Sequence, residues 1–292
     1  MSNNSSSITQ FLLLVFADMR ELQLLHFWLF LGIYLAALLG NGLIITAIAC
    51  DHHLHTPMYF FLLNLSLLDL GSISTTVPKS MASSLWDTRT ISYGGCAAQV
   101  FWFLFFVSSE YYLLTVMAYD RYVTICKPLH YVTIMDSRAC IKMAAAAWGS
   151  GFLNAVLHVG QQHVGAAVLH SYVRKAGFTV VSLCVACGCF LFLVLSYVQI
   201  FTVVLRIPSE QGRHKAFSTC LPHVAVVSLF ASSAMFAYLK SHSSSSPALN
   251  LVVAVLYAVV PPAVNPLIYS MRNQELKEAL KRLIRCLLLQ QE

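Results

Sequence analysis

Seven apolar stretches, each about twenty residues or longer, dominate this chain and leave it very few folds. They run approximately over His26–Ala49, Met58–Ser80, Cys96–Tyr119, Cys140–Gly160, Gly177–Leu205, Phe217–Leu239 and Ala248–Met271, bounded by charge, proline or serine-rich punctuation. A helix rising 1.5 Å per residue needs roughly 20 apolar residues to cross the hydrocarbon core of a bilayer. In that core the backbone satisfies its own hydrogen bonds only as a helix or a closed barrel. Runs of this length select helices. Charged residues make up only 10% of the 292, against roughly a quarter in a soluble domain. A soluble enzyme and a disordered chain are both excluded. The expected fold is an all-α membrane protein, a seven-transmembrane helix bundle divided as 1–25 (extracellular N-terminus), 26–271 (membrane domain) and 272–292 (cytoplasmic amphipathic helix and tail).

Lys and Arg set the orientation. Twelve of the eighteen lie on one side of the apolar stretches, among them Arg121, Lys127, Arg138, Lys215, Lys277 and Arg285. That side is expected to be cytoplasmic, which puts the N-terminus outside and the C-terminus inside. The net charge of +6 is spread over short segments between apolar runs, so it points to a membrane surface and not to nucleic acid. Phe11–Ala17 is too short to span and has no basic leader, so no cleaved signal peptide is expected. Asn3 and Asn4 begin acceptor sequons that this topology exposes to glycosylation. After the last span, Leu276, Leu280, Leu283, Ile284 and Leu287 recur at helical spacing with Lys277, Lys281, Arg282 and Arg285 on other faces. This describes a basic amphipathic helix on the inner leaflet, with membrane lipids as partners and Cys286 either palmitoylated or an unmodified thiol.

Ionisable groups inside spans are costly, about 2.5–3.5 kcal/mol at a helix centre on insertion scales, so each needs a reason. Asp69 stands in the second span and Glu110 in the third, with Asn41 and Asn265 in the first and seventh. Counted from the nearest cytoplasmic markers, all four lie roughly 10–18 Å above that edge. Four polar groups at one depth on four helices imply a shared interior site. Two carboxylates there repel unless one is protonated or a cation lies between them. A sodium ion with waters is the economical occupant, and plain structural hydrogen bonding is the alternative. On the third span, Phe103, Glu110 and Arg121 fall on one stripe at 100° per residue. That is the layout of a transmitting helix, although any helix central to a bundle would share it. Cys184, Cys187 and Cys189 are spread around an apolar helix and are expected in the core, while His52, His53 and His55 form an interfacial cluster. No catalytic motif occurs in a usable context, so no enzyme is expected.

Leu54-His55-Thr56-Pro57-Met58-Tyr59, Met117-Ala118-Tyr119-Asp120-Arg121-Tyr122, Ser196-Tyr197, Lys215-Ala216-Phe217-Ser218-Thr219-Cys220 and Pro262-Ala263-Val264-Asn265-Pro266-Leu267-Ile268-Tyr269 follow one another in order. Together they resemble the signatures of vertebrate olfactory receptors, which are rhodopsin-like G-protein-coupled receptors, and the pattern is similar to the land-vertebrate class that includes birds. The resemblance implies a receptor in the plasma membrane that binds small volatile odorants and activates a stimulatory heterotrimeric G protein. It implies that Arg121, held by Asp120 and flanked by Tyr122, meets the G protein, that Tyr197 and Tyr269 swing inward beside Asn265 and Pro266, and that Asp69 and Glu110 are the sodium-site acids. The odorant cavity would be lined by Phe103, Leu104, Val107 and Ser108, by Val181, Ser182 and Val185, by Ala234, Met235 and Tyr238, and by Ala258.

Two departures from the family pattern bear on function. The sixth span reads Phe230-Ala231-Ser232 where many members have an aromatic in the middle. The connection between the fourth and fifth spans, His158–Ala176, is short and contains no cysteine, so Cys96, which matches the family's disulfide cysteine, is expected to be unpaired. Two other readings stay open at this point: a non-signalling relic of the receptor family, and an ion-coupled transporter using Asp69 and Glu110.

Overall fold

A computed structural model of the protein describes residues 10–12, 20–86, 90–163, 169–243 and 247–289. Seven long helices follow in order: α1 (Arg20–Cys50), α2 (Pro57–Trp86), α3 (Tyr93–Cys126), α4 (Ser137–His163), α5 (Leu169–Leu205), α6 (Glu210–Ser243) and α7 (Pro247–Arg272). A shorter helix, α8 (Gln274–Leu289), follows them. Among the described residues, α1 to α6 each contain a stretch long and apolar enough to cross a membrane. The fold is the expected seven-helix bundle with a short C-terminal helix.

The helices outrun the apolar stretches because helical hydrogen bonding does not stop where the hydrocarbon does. α1 begins at Arg20, so the division expected at residue 26 falls inside it. The expected His158–Ala176 connection shrinks further, since α4 continues to His163 and α5 already begins at Leu169. Hydroxyls within the spans return their hydrogens to the preceding turn, as Thr75 does to the Gly71 carbonyl (2.8 Å) and Thr115 to that of Tyr111 (3.1 Å). Side chains cap the exposed helix starts: Ser92 Oγ accepts from Gly95 N, Asp136 Oδ1 from Ala139 N and Asn273 Oδ1 from Leu276 N. One feature was not foreseen. Gln10–Leu12 (β1) pairs antiparallel with Thr90–Ser92 (β2), Phe11 opposite Ile91, ahead of α3.

α3 is the central helix and packs against α2, α4, α5 and α6, while α7 closes onto α1, α2 and α6. Two glycines set the closest approaches. A Cβ on Gly151 of α4 would lie 2.0 Å from Ser109 Oγ and 2.7 Å from the Ser109 backbone nitrogen, and one on Gly71 would run into the Phe106 ring. The main core, with Leu65, Leu68, Leu113, Leu114 and Met117 fully or nearly buried, fills the end of the bundle that carries Arg121, here the inner end. Among the described residues a second core lies further out, with Phe30, Ala37, Ile73, Val77, Ala258 and Val259 buried and Ile33, Tyr34, Met81, Phe103 and Ala263 packed against them. α8 turns part of its apolar face into the bundle, while Ile284 on the rest of it is exposed. Leu276 and Ala279 are buried, and Leu280 and Leu283 pack against the main core.

Candidate functional site

The inner end of α3 carries the first constellation. Arg121, almost fully buried, is paired with Asp120, whose other carboxylate oxygen accepts from the Tyr131 hydroxyl at 2.9 Å. Burial, together with the neighbouring Asp120 carboxylate, pushes the Tyr131 hydroxyl well above the usual tyrosine range, so it remains a donor. On the facing helices, Tyr197 of α5 is hydrogen-bonded to His223 Nδ1 of α6, and the two rings are stacked. Arg121, Asp120, His223, Lys215 and Tyr269 wall a cavity of about 500 Å³ at this end. Tyr122 is half-buried near Ile200, Val204 and Cys220. An apolar cleft of about 670 Å³ nearby, walled by Leu54, Pro57, Phe60, Val132 and Ile141, holds none of the expected site residues.

His223 and Tyr131 were missed by the sequence reading. A signal existed for His223, because an imidazole inside an apolar span meets the same cost argument that singled out Asp69 and Glu110. Tyr131 sits in a connection, where no periodicity marks it.

Midway along the bundle, the Asn265 amide of α7 donates to both carboxylate oxygens of Asp69 and to Glu110 Oε1, each at 3.2 Å. Three helices are thereby joined through one side chain. Asn41 stands apart from this triad and donates instead to the carbonyls of Ala37 (3.1 Å) and Pro262 (3.0 Å), tying α1 to α7. Asp69, Glu110 and Asn265 are all buried, and the Asn265 amide oxygen has no hydrogen-bond partner. Two carboxylates thus share the two hydrogens of one amide whose own oxygen is left without a donor, an acceptor-rich centre that fits a hard monovalent cation. Among the described residues no third acid, imidazole or thiol joins the pair, so the donor set does not suit a tightly held divalent ion.

Further out, a cavity of about 270 Å³ opens between α1, α2, α3 and α7, with Phe103 and Ala258 in its walls alongside Phe30, Thr76, Gln99 and Val259. Thr76, Phe103 and Ala258 each lie two helical turns from Asp69, Glu110 and Asn265 respectively, on the same helix faces.

The expected walls from α5 and α6 are not part of this cavity. Val181 and Val185 of α5 are 60% and 46% exposed, as α5 meets α4 and α6 only marginally among the described residues, and Met235 of α6 is 60% exposed. Ser182 and Ala234 are half-buried and line none of the cavities described above. On α3, Ser108 accepts from Asn154 of α4 (2.8 Å), Val107 packs against the main core, and Leu104 is half-buried outside the cavity walls. Asn3 and Asn4 lie outside the described residues, and Tyr238 falls on α6 with its side chain outside what is described. Cys184 and Cys187 are exposed on α5 and not packed in the core. All nine cysteines, Cys96 included, are free thiols. Phe230 is buried and stacks on Tyr111, their centroids 5.8 Å apart.

A seven-helix membrane bundle with an outer cavity, a buried polar triad and an inner cavity around an arginine, all strung along α3, has the build of a multi-pass transmembrane receptor. A family profile described as Olfactory receptor matches residues 30–287. Human Olfactory receptor 14I1 is 48% identical over 301 positions, covering 96% of this chain and 97% of the relative. Human Olfactory receptor 14J1 is 45% identical, covering 96% and 94%, and gorilla Olfactory receptor 1G1 is 41% identical, covering 96% of each. The chain belongs to the olfactory receptor family, whose members are signalling receptors and not enzymes.

Proposed function

We propose that this protein is an odorant receptor that binds small volatile ligands inside the helix bundle and activates a stimulatory heterotrimeric G protein at the inner cavity. The observation that carries the reading is the continuous column on α3, from Phe103 in the outer cavity, through Glu110 in the triad, to Arg121 in the inner cavity. A ligand that shifts α3 against α2 and α7 disturbs the Asn265 bridge and carries Asp120 away from the Tyr131 hydroxyl, so the Arg121–Asp120 pair loses the bond that orients it. Freed from Asp120, the arginine becomes available to a partner in the inner cavity, with Tyr197 and Tyr269 at its walls. A sodium ion held by Asp69, Glu110 and the Asn265 amide oxygen would supply the positive charge that the triad lacks. The excess of Lys and Arg beside the inner end supports an extracellular N-terminus in the plasma membrane, and the motif pattern supports membership of the land-vertebrate, bird-like class.

The test is Arg121→Ala in cells that report cyclic AMP. Odorant-driven cyclic AMP is expected to vanish while surface level holds, because Asp120 keeps its hydrogen bond from Tyr131. Normal signalling by the variant would overturn the mechanism.

A second reading, a receptor that assembles poorly and does not signal, is favoured by one observation. The alignment with the 14I1 receptor runs to 301 positions against 292 residues here, so the relative has residues with no counterpart in this chain. The short α4–α5 connection and the free Cys96 thiol fit the same reading. A disulfide at this place would contribute about 2–4 kcal/mol. The expected outcome is maleimide labelling of Cys96 without prior reduction, and weak surface staining of an N-terminal tag. Protection of Cys96 until reduction, with strong staining, would refute it.

A further inference from the structure

The inner half of α5 carries a polar group that the rest of the bundle leaves unanswered. Leu193, Ser196, Ile200 and Val204 are buried and mark the face turned toward the other helices. At 100° per residue, Gly188, Leu195, Gln199 and Thr202 fall on the opposite side, and all four are exposed. Gln199 stands seven residues, roughly 10 Å, before Arg206, the first charge after this span, so its amide lies inside the hydrocarbon and not at the edge. Amides elsewhere in the spans are bonded to a neighbouring helix: Asn41 to the Pro262 carbonyl, Asn64 to the Trp148 indole, Asn154 to Ser108, and Asn265 to Asp69 and Glu110. Gln199 has no hydrogen-bond partner among the described residues. Acyl chains offer none either, so an amide facing them alone is expensive.

We propose that this protein forms a two-fold homodimer along the inner half of α5, with the Gln199 amides of the two copies paired across the axis. The proposal goes beyond the odorant-receptor reading and does not depend on which ligand the bundle binds. A primary amide donates and accepts at once, so it is its own complement: each Gln199 gives one hydrogen to the other's oxygen, and a two-fold axis makes the exchange reciprocal. Copies inserted in the same direction bring this residue to the same depth, which a partner of unrelated sequence does not guarantee. The second amide hydrogen has an acceptor in the same seam. The Thr202 hydroxyl, one turn inward, spends its own hydrogen on the Val198 carbonyl (2.7 Å), and its oxygen is left to accept. Gly188, Phe192, Leu195, Gln199 and Thr202 follow one another at alternating intervals of four and three residues, the repeat of a left-handed helix pair. Gly188 lets two backbones approach closely, as small residues do between membrane helices. A single polar position in an otherwise apolar seam also fixes its register.

The experiment uses the full-length protein, labelled on an N-terminal tag with a donor or an acceptor fluorophore and reconstituted in phosphatidylcholine vesicles over a range of protein-to-lipid ratios. Wild type is expected to show energy transfer that falls on dilution with one dimer-to-monomer midpoint. Two hydrogen bonds of the strength usual between membrane helices are worth about threefold each, so Gln199→Leu should move that midpoint about tenfold toward higher protein density. Gln199→Asn, which keeps the amide on a shorter stem, should recover part of the loss, and Thr202→Val should shift the midpoint less than Gln199→Leu does. Melting of the dilute Gln199→Leu protein should match dilute wild type, which separates lost pairing from lost folding. The face is read by oxidative cross-linking in a background with the exposed Cys184 and Cys187 changed to Ser. Leu195→Cys should link two copies, whereas Val194→Cys, also exposed but turned 100° away, should not. Wild type that stays monomeric at every ratio would assign the amide to lipid or water and overturn the proposal. So would a Gln199→Leu midpoint equal to that of wild type, or cross-linking at position 194 and not at 195.

Discussion

The two ends of the bundle are built differently. At the inner end the helices share one large core and a dense set of side-chain bonds: Arg121 to Asp120, Tyr131 to Asp120, Tyr197 to His223, and the Trp148 indole to Asn64 at 3.1 Å. At the outer end, among the described residues, six buried side chains on α1, α2 and α7 form a separate core with Phe103 of α3 against it, Val180, Val181 and Leu183 of α5 are exposed, and a cavity remains. The inner geometry is over-determined, so one residue change there has many partners to disturb. The described outer core is separate from the inner one, so a change there has fewer described partners to disturb.

Glycines on α4 give the sharpest way to break the comparison. Gly151→Ala would push a methyl into Ser109, including its backbone nitrogen, where nothing flexible can yield. A loss of about 1–3 kcal/mol or more is expected, seen as a collapse of folded yield. Gly160→Ala, nine residues further out on the same helix, meets nothing within 4 Å and should be neutral or stabilising by up to about 1 kcal/mol. Similar effects at both positions would mean that the outer end of α4 is as tightly packed as its middle.

The triad sits at the divide, and sodium should sharpen it. At ten times its dissociation constant, sodium would stabilise the protein by about 1.4 kcal/mol. Asp69→Asn and Glu110→Gln should each weaken that increment in melting measurements on purified protein. Wild-type melting that responds equally to a bulky organic cation would leave only a hydrogen-bonded triad.

The smallest effect belongs to the inner surface. Arg282 of α8 bonds Asp51 and, with the His53 backbone amide, holds the Asp51 carboxyl below the usual aspartate range. A lowered folded-state value contributes stability above the unfolded value of about 3.9 and loses it as pH falls through the folded one. Arg282→Gln should therefore melt slightly below wild type at pH 7, and the two curves should merge as the pH drops toward 3. A difference that persists at low pH would assign the effect to packing.

Much of the inner half was legible in the sequence. The Phe103–Glu110–Arg121 stripe and the depth arithmetic for Asp69, Glu110 and Asn265 depend only on helix geometry, and the three side chains do meet. The same arithmetic failed for Asn41, since equal depth does not fix rotation, and Asn41 turns to the α7 backbone instead. The outer half was legible only in part. α5 is apolar all round, so its sequence carries no stripe to say which face turns inward, and Val181 and Val185 were assigned through family resemblance alone. The β1–β2 pair was invisible for another reason: three residues are too few to set a period.

The seating of α8 constrains how the chain can be made. Tyr59 donates to Asn273 (3.0 Å) and Glu275 (2.8 Å), and Asp51 waits for Arg282, so partners lie more than two hundred residues apart. At roughly 5–20 residues per second, translation leaves the α1–α2 turn without these partners for on the order of tens of seconds. During that interval the polar groups of Tyr59 and Asp51 and the apolar surface destined for Leu276 and Ala279 stand open to whatever escorts the nascent chain. The first hairpin of the bundle is thus sealed only by the helix that follows the seventh.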